Sequence, residues 1–250
     1  MRGKKCWKRV TAVLMAFMML VGLVMTNGIT SEAYWYNSEG ERYPNVGYRT
    51  HVQSKGWERK LTLNGRTSGT VGAGKRLEAI QIIVEPGYGV GVEYRTHIQS
   101  KGWEKTWKKD GETSGTSGEA KRLEAIQIRL TGTNKNKYDI YYRVQAQTYG
   151  WSQGWKYNGQ PSGTSGEAKR LEAIRIQLTG QLAQYYDVYY RVHAQTYGWL
   201  GWAKNGSIAG TSGLAKRLEA IQIVIIPKDA MGENAPNPLP AAPGTAAYVH

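Results

Sequence analysis

The sequence predicts an all-β fold: four tandem repeats of about 47 residues, made of short strands, forming a pseudo-symmetric closed β body. Three observations predict it. A Tyr-Arg-x-His/Gln-x-Gln segment leading to Gly-Trp recurs at 48–57, 94–103, 142–151 and 190–199. A Gly-Thr turn followed by Lys-Arg-Leu-Glu-Ala-Ile recurs at 69–80, 115–126, 163–174 and 210–221. Both segments alternate apolar and polar residues, the period of a half-buried strand. A unit this small cannot bury a core alone, so the copies must pack on one another. Prism, trefoil-like and small-propeller closures all suit such a chain.

The elements follow in order. Residues 1–33 read as a signal peptide: a basic start (Arg2, Lys4, Lys5, Lys8, Arg9), an apolar stretch from Thr11 to Met25, and Ser31-Glu32-Ala33 as the cleavage site. The stretch is short for a bilayer span of roughly 20 residues, so cleavage without a remaining membrane span is expected. Residues 34–45 are a lead-in segment, and the repeats occupy 46–86, 87–132, 133–180 and 181–226. In each repeat Asn64-Gly65, Asp110-Gly111, Asn158-Gly159 or Asn205-Gly206 reads as a hairpin turn, because these pairs tolerate positive φ. Residues 227–250, rich in Pro and Ala, read as a disordered tail.

The formal net charge of the whole sequence is +14. Loss of residues 1–33 removes five Lys/Arg and one acid, leaving +10. A basic exported chain favours anionic surfaces; nucleic acid is not an expected partner. The one cysteine, Cys6, lies in the signal peptide, so the mature chain has no disulfide, zinc–thiolate site or cysteine nucleophile. No metal and no cofactor are expected.

The pattern closely resembles the clostridial hydrophobic W (ChW) repeat family. The residues carrying the match are His/Gln-x-Gln-x-x-Gly-Trp, the Asn/Asp-Gly turn, Gly-Thr-x-Gly and Arg-Leu-Glu-Ala-Ile-x-Ile, over roughly residues 46–226. The resemblance implies extracellular multi-copy modules that bind macromolecules or cell-surface material, and brings no catalytic residues. Repeat three departs at Gln145, and repeat one at Leu61, where Trp107 and Trp155 stand in the next two copies. Repeat four brings its second tryptophan, Trp202, one residue closer to the Gly-Trp.

Candidate binding residues fall into three sets. Trp57, Trp103, Trp151 and Trp199 stand in every copy, which suits packing as well as a sugar platform. Trp107, Trp155 and Trp202 vary in presence and spacing, which suits a surface site. His51, His97 and His193, with Gln145 in their place in repeat three, sit on the polar strand face. Gln keeps hydrogen bonding but not metal affinity or basicity, so recognition or structure is expected there, not catalysis. The recurrent charges are expected to pair as structural bridges from first to last strand: Arg49 with Glu78, Arg95 with Glu124, Arg143 with Glu172, Arg191 with Glu219. No enzyme is expected, since glycoside hydrolysis needs two positioned carboxylates and four near-equal sites suit avidity. The expected function is a secreted, multivalent module for cell-wall or surface glycan; the alternative is an extracellular structural or protein-interaction repeat.

Overall fold

The computed structural model describes residues 46–84, 89–151, 153–228, 239 and 246–250. The signal peptide and lead-in expectations lie outside these residues. Repeat one supplies β1 (Val46–Val52), β2 (Gly56–Trp57), β3 (Thr62–Leu63), β4 (Ser68–Gly69) and β5 (Leu77–Val84). Repeat two supplies β6 (Gly91–Ile98), β7 (Gly102–Trp103), β8 (Lys108–Lys109), β9 (Ser114–Gly115) and β10 (Leu123–Thr131). Repeat three gives β11 (Tyr138–Ala146), β12 (Lys156–Tyr157), β13 (Ser162–Gly163) and β14 (Leu171–Gly180). Repeat four gives β15 (Tyr186–Ala194), β16 (Gly198–Trp199), β17 (Ala203–Lys204), β18 (Ala209–Thr211) and β19 (Leu218–Pro227). One four-residue helix, α1 (Leu182–Tyr185), precedes β15.

Each sheet borrows a strand. The first strand of a repeat pairs antiparallel with its closing strand, as in β1–β5 and β6–β10. The short Ser-Gly strand (Ala-Gly-Thr in repeat four) does not stay home: β9 pairs with β5, β13 with β10 and β18 with β14. The circle closes when β4 of repeat one pairs with β19 of repeat four, Gly69 opposite Ala220. Four sheets therefore stand in a ring, propeller-like, with fourfold pseudosymmetry. The closing strands β5, β10, β14 and β19 each touch the next around the axis, and β19 touches β5.

The crossing point explains two small residues in every copy. Gly69, Gly115, Gly163 and Gly210 all have φ between +117° and +134°. A Cβ on Gly115 would lie 2.4 Å from the Glu78 carbonyl oxygen and 2.5 Å from the Ala79 Cα. Ala79, Ala125, Ala173 and Ala220, the alanines of Leu-Glu-Ala-Ile, are buried beneath these glycines. The borrowed strand lies flat only because both partners are small.

The Asn/Asp-Gly turns adopt the expected positive φ, but they are not hairpins within one sheet. Each carries the chain from its own sheet to the preceding one. Gly65, Gly111, Gly159 and Gly206 donate backbone N–H groups to Ile223, Ile82, Ile128 and Ile176 of the preceding repeat, each at 2.7 Å. The tyrosine opening each repeat reinforces the joint. The Tyr94 hydroxyl accepts the Ile82 N–H at 2.8 Å and donates to the Glu112 carbonyl. Tyr142 and Tyr190 repeat this with Ile128 and Ile176, and Tyr48 joins repeat one to Ile223 across the closure. Burial pushes the phenols of Tyr94, Tyr142 and Tyr190 up to about 12, and that of Tyr48 further.

A β-bulge in each closing strand breaks the simple alternation. His51 faces Ala79 and Val52 faces Leu77, so Glu78 is the extra residue. The bulge lets Leu77, Ile80 and Ile82 all turn toward the axis. With their counterparts they line an axial cavity of about 330 Å³. Part of the expected tail is also ordered: residues 246–250 lie against repeat four, with β20 (Tyr248–Val249) running parallel to β18.

Candidate functional site

The bulges carry four glutamates inward. Glu78, Glu124, Glu172 and Glu219 are each 1% exposed. Their partners are not the arginines of the first strand. His51 Nδ1 lies 3.3 Å from Glu78 Oε2, His97 Nδ1 3.3 Å from Glu124 and His193 Nδ1 3.4 Å from Glu219. The second carboxylate oxygen meets Arg76, Arg122 or Arg217 at 3.3–3.4 Å. In repeat three, Arg170 is the cation near Glu172, whose carboxyl burial pushes upward. The expected pairs Arg49–Glu78, Arg95–Glu124, Arg143–Glu172 and Arg191–Glu219 are thus replaced. Register is the reason: Arg49, Arg95 and Arg191 stand opposite Gln81, Gln127 and Gln222, beyond reach of the bulge. Their Nε groups donate to those glutamine side chains.

The histidines are not on an open face. His51, His97 and His193 are 3–5% exposed and meet the Gly-Trp indole edge-on at 5.4–5.7 Å. At His193 the loop of the next repeat reaches the ring, the Gly72 N–H donating to Nε2 at 3.3 Å. Gln145 holds the same place, its Nε2 donating to Ser212 Oγ at 2.6 Å. His193 and Gln145 thus join their repeats to the next one.

The tryptophans form ladders with arginine. The Arg95 guanidinium lies 5.8 Å from the Trp103 ring and 4.9 Å from Trp107, and Arg129 continues at 4.1 Å from Trp107. Arg143 and Arg175 serve Trp151, and Arg175 serves Trp155. Arg191 lies 5.0 Å from Trp199 and 4.8 Å from Trp202, while Arg49 serves Trp57 alone. Such cation–π contacts contribute about 0.5–2 kcal/mol each, depending on desolvation. All seven rings are half-buried. Gly159 and Gly206 of the following repeats press against Trp107 and Trp155. Trp107 and Trp155 are therefore joints between repeats rather than open platforms, and Trp202 packs on the Tyr189, Val224 and Ile226 cluster of its own repeat.

The sequence model of the clostridial hydrophobic W family matches residues 51–86, 97–132, 145–180 and 193–227. The chain belongs to this family. No curated protein and no solved structure matches it. Each matched ChW segment starts at the His or Gln and runs through the closing strand, so it includes the Gly-Trp, the bulged Glu and the borrowed strand.

What the ChW ring leaves open lies at one end of the axis. Arg76, Arg122, Arg170 and Arg217 line the axial cavity there. Arg76 donates to the Ala120 carbonyl of repeat two, Arg170 to Ala215 of repeat four and Arg217 to Gly74 of repeat one. Beside each arginine runs the loop before Gly-Trp, whose Gln53, Gln99, Gln147 or Gln195 N–H donates to the arginine carbonyl. The tips of these loops carry Lys55, Lys101, Tyr149 and Tyr197 at one equivalent position, and both tyrosines are exposed, by 45% and 42%. Sequence reading passed over both sets. The arginine stands in every Lys-Arg-Leu-Glu-Ala-Ile, and Tyr-Gly-Trp occurs twice, so the signal was present. Among the described residues no group of three His, Cys, Asp or Glu could hold a metal, and no helix is long and apolar enough to cross a membrane.

The burial of His193 gives a pH-dependent stability. Burial lowers the His193 pKa below the usual imidazole value, with Glu219 opposing. Below about pH 6.5 the unfolded chain takes up a proton that the folded one resists, so stability falls as pH falls through that range. His193→Gln, which copies Gln145, is expected to fold and to reduce this loss. Urea midpoints at pH 7.5 and 5.2 should differ less for the variant than for the parent chain. An equal difference would show that His193 does not contribute.

Proposed function

We propose that this protein is a secreted, multivalent binding module for anionic cell-wall or cell-surface glycan, and that it uses the loop end of the ring. The observation that carries this reading is the shared placement of Lys55, Lys101, Tyr149 and Tyr197 around one end of the axis, with the arginine ring inside them. An exposed tyrosine offers a flat apolar ring to a sugar face and a hydroxyl to its rim. The lysines and the charge of +14 over the whole sequence favour an anionic polymer. A repeating polymer meeting four positions on one rigid ring gains avidity without any single strong site. The buried glutamates, held by His and Arg, are assigned structural work and no catalytic role.

Retention on purified wall material and on a glycan array at low salt tests the idea. The double variant Tyr149→Ala, Tyr197→Ala touches no buried contact and is expected to weaken retention at least tenfold with an unchanged circular dichroism spectrum. No retention of the parent chain by either material would sink the proposal.

A second reading, an extracellular structural or protein-interaction repeat, is favoured by the ladders, in which the indoles are stacked on the chain's own arginines. It predicts that glycan retention is absent while the ring still captures a protein partner.

A further inference from the structure

Repeats one to three close the outer edge of the borrowed strand with a side chain from the loop after Gly-Trp. Glu58 Oε1 accepts the Gly69 N–H, and Glu58 Oε2 accepts the Ser68 hydroxyl at 2.7 Å. Glu104 does the same for Gly115 and Ser114, and Gln153 Oε1 accepts the Gly163 N–H at 3.0 Å. The polar set is completed by Thr50 and Thr96, each 3.0 Å from its serine.

Repeat three already has Val144 in place of the threonine and keeps Ser162 and its Gln153 cap. Repeat four loses the serine and the cap as well: Leu200 stands where Glu58 and Glu104 stand, Ala209 where the serines stand, and Val192 where Val144 stands. Leu200, Ala209 and Val192 are buried in one apolar cluster. None of them can accept the Gly210 N–H. A backbone segment does so instead: Ala247 O accepts from Gly210 N at 3.0 Å, Val249 O from Ser212 N at 2.9 Å and Ala246 O from Gly201 N at 3.1 Å. Ala247 and Val249, two residues apart and hence on one face of the strand, pack on the cluster that contains Leu200 and Ala209. Leu239 adds a second anchor, against the cluster of Tyr189, Val224 and Ile226.

We propose that the outer edge of repeat four is a binding slot for an extended peptide of apolar-x-apolar pattern, filled in this structure by residues 246–249 and equally fitted to that segment of a second copy. Recognition is strand addition: main-chain hydrogen bonds give affinity, and alternate apolar side chains give selectivity. The three bonds and two apolar contacts involve only local groups. The covalent path through residues 228–245 sets the local concentration of the segment, not its fit. The exchange of Ser and Glu for Ala and Leu converts a self-capped edge into an acceptor. The slot is independent of the glycan reading, since it lies on the sheet edge and uses none of the loop-tip tyrosines.

The test uses the full chain with a specific protease site inserted between residues 229 and 238, cut after folding. A fluorescent peptide with the sequence of residues 239–250 is then added. The cut chain is expected to bind it saturably, and the uncut chain at least tenfold more weakly, because its own segment competes. Retention of the cut fragment through gel filtration supports the slot in the same way. Peptide carrying Val249→Asp, a change that cannot affect folding of the ring, should bind at least tenfold more weakly. The proposal is overturned if the cut chain, with its circular dichroism unchanged, loses the fragment and binds no labelled peptide. It is equally overturned if cut and uncut chains bind alike, or if the Val249→Asp peptide binds as well as the parent peptide.

Discussion

Gly69→Ala is expected to open the ring and destabilise the protein by about 3 kcal/mol or more, the scale reached when backbone strain meets a tightly packed site. The added Cβ would lie 2.3 Å from the Glu219 carbonyl oxygen and 2.5 Å from the Ala220 Cα. Both are backbone atoms, so no rotamer change relieves the contact. A φ of +117° adds strain for any residue with a side chain. The joint affected is the one closing the circle, since β4 and β19 come from opposite ends of the repeat array. Its loss removes the Thr70 N–H bond to Glu219 at 2.9 Å and loosens Tyr48 from Ile223. Gly118→Ala is the control, because its Cβ meets open space and carries only the cost of positive φ, about 1–2 kcal/mol. Urea midpoints should separate the two variants, and the Ile223 amide should exchange faster only in Gly69→Ala. Equal midpoints would mean that the Gly–Ala crossing does not hold the ring together.

The repeat, the strand segments and the positive-φ turns were legible in the sequence because each rests on local pattern. What was not legible is what depends on the neighbouring repeat. Ser68-Gly69 looks like turn chemistry, yet it is a strand whose partner is Ala220-Ile221, about 150 residues away in sequence. The reading of His97 failed differently. Alternation placed it on the polar face, and a polar face was read as open, but His97 is buried against Glu124 and Trp103. The Arg95–Glu124 pairing failed through one extra residue. The bulge moves Glu124 out of the Arg95 register and under His97. Closure in four rather than three followed from every Ser-Gly strand reaching the preceding sheet, a rule that uses all four copies with none left over. The loop-end arginines and tyrosines were visible but undistinguished, since exposure is decided by the packing of the other residues.

Above pH 10 the fold is expected to lose stability steeply. Burial holds Tyr94, Tyr142 and Tyr190 up to about 12, with Tyr48 raised further, against an unfolded value near 10. Between these values the unfolded chain gives up phenol protons that the folded chain keeps. The folded state then binds more protons, so its stability, fully present below pH 10, declines as pH rises. Each phenol contributes about 1.4 kcal/mol per pH unit, roughly 5.6 kcal/mol per pH unit for the four together. That is comparable to the whole stability of a typical domain, about 5–15 kcal/mol. Tyrosinate absorbance from the buried four should therefore rise only together with the loss of the folded circular dichroism signal, since they ionise with unfolding. Tyr94→Phe separates the two roles of the hydroxyl. At pH 7 it leaves the Ile82 N–H without its acceptor, costing about 1–3 kcal/mol. Above pH 10 it removes one of the four titrating groups, so its stability should fall less steeply than that of the parent. If all the phenols ionise together near pH 10 with the fold intact, the buried tyrosine joints are wrong. A variant with unchanged midpoint at pH 7 would show that the Tyr94–Ile82 bond does not tie one repeat to the next.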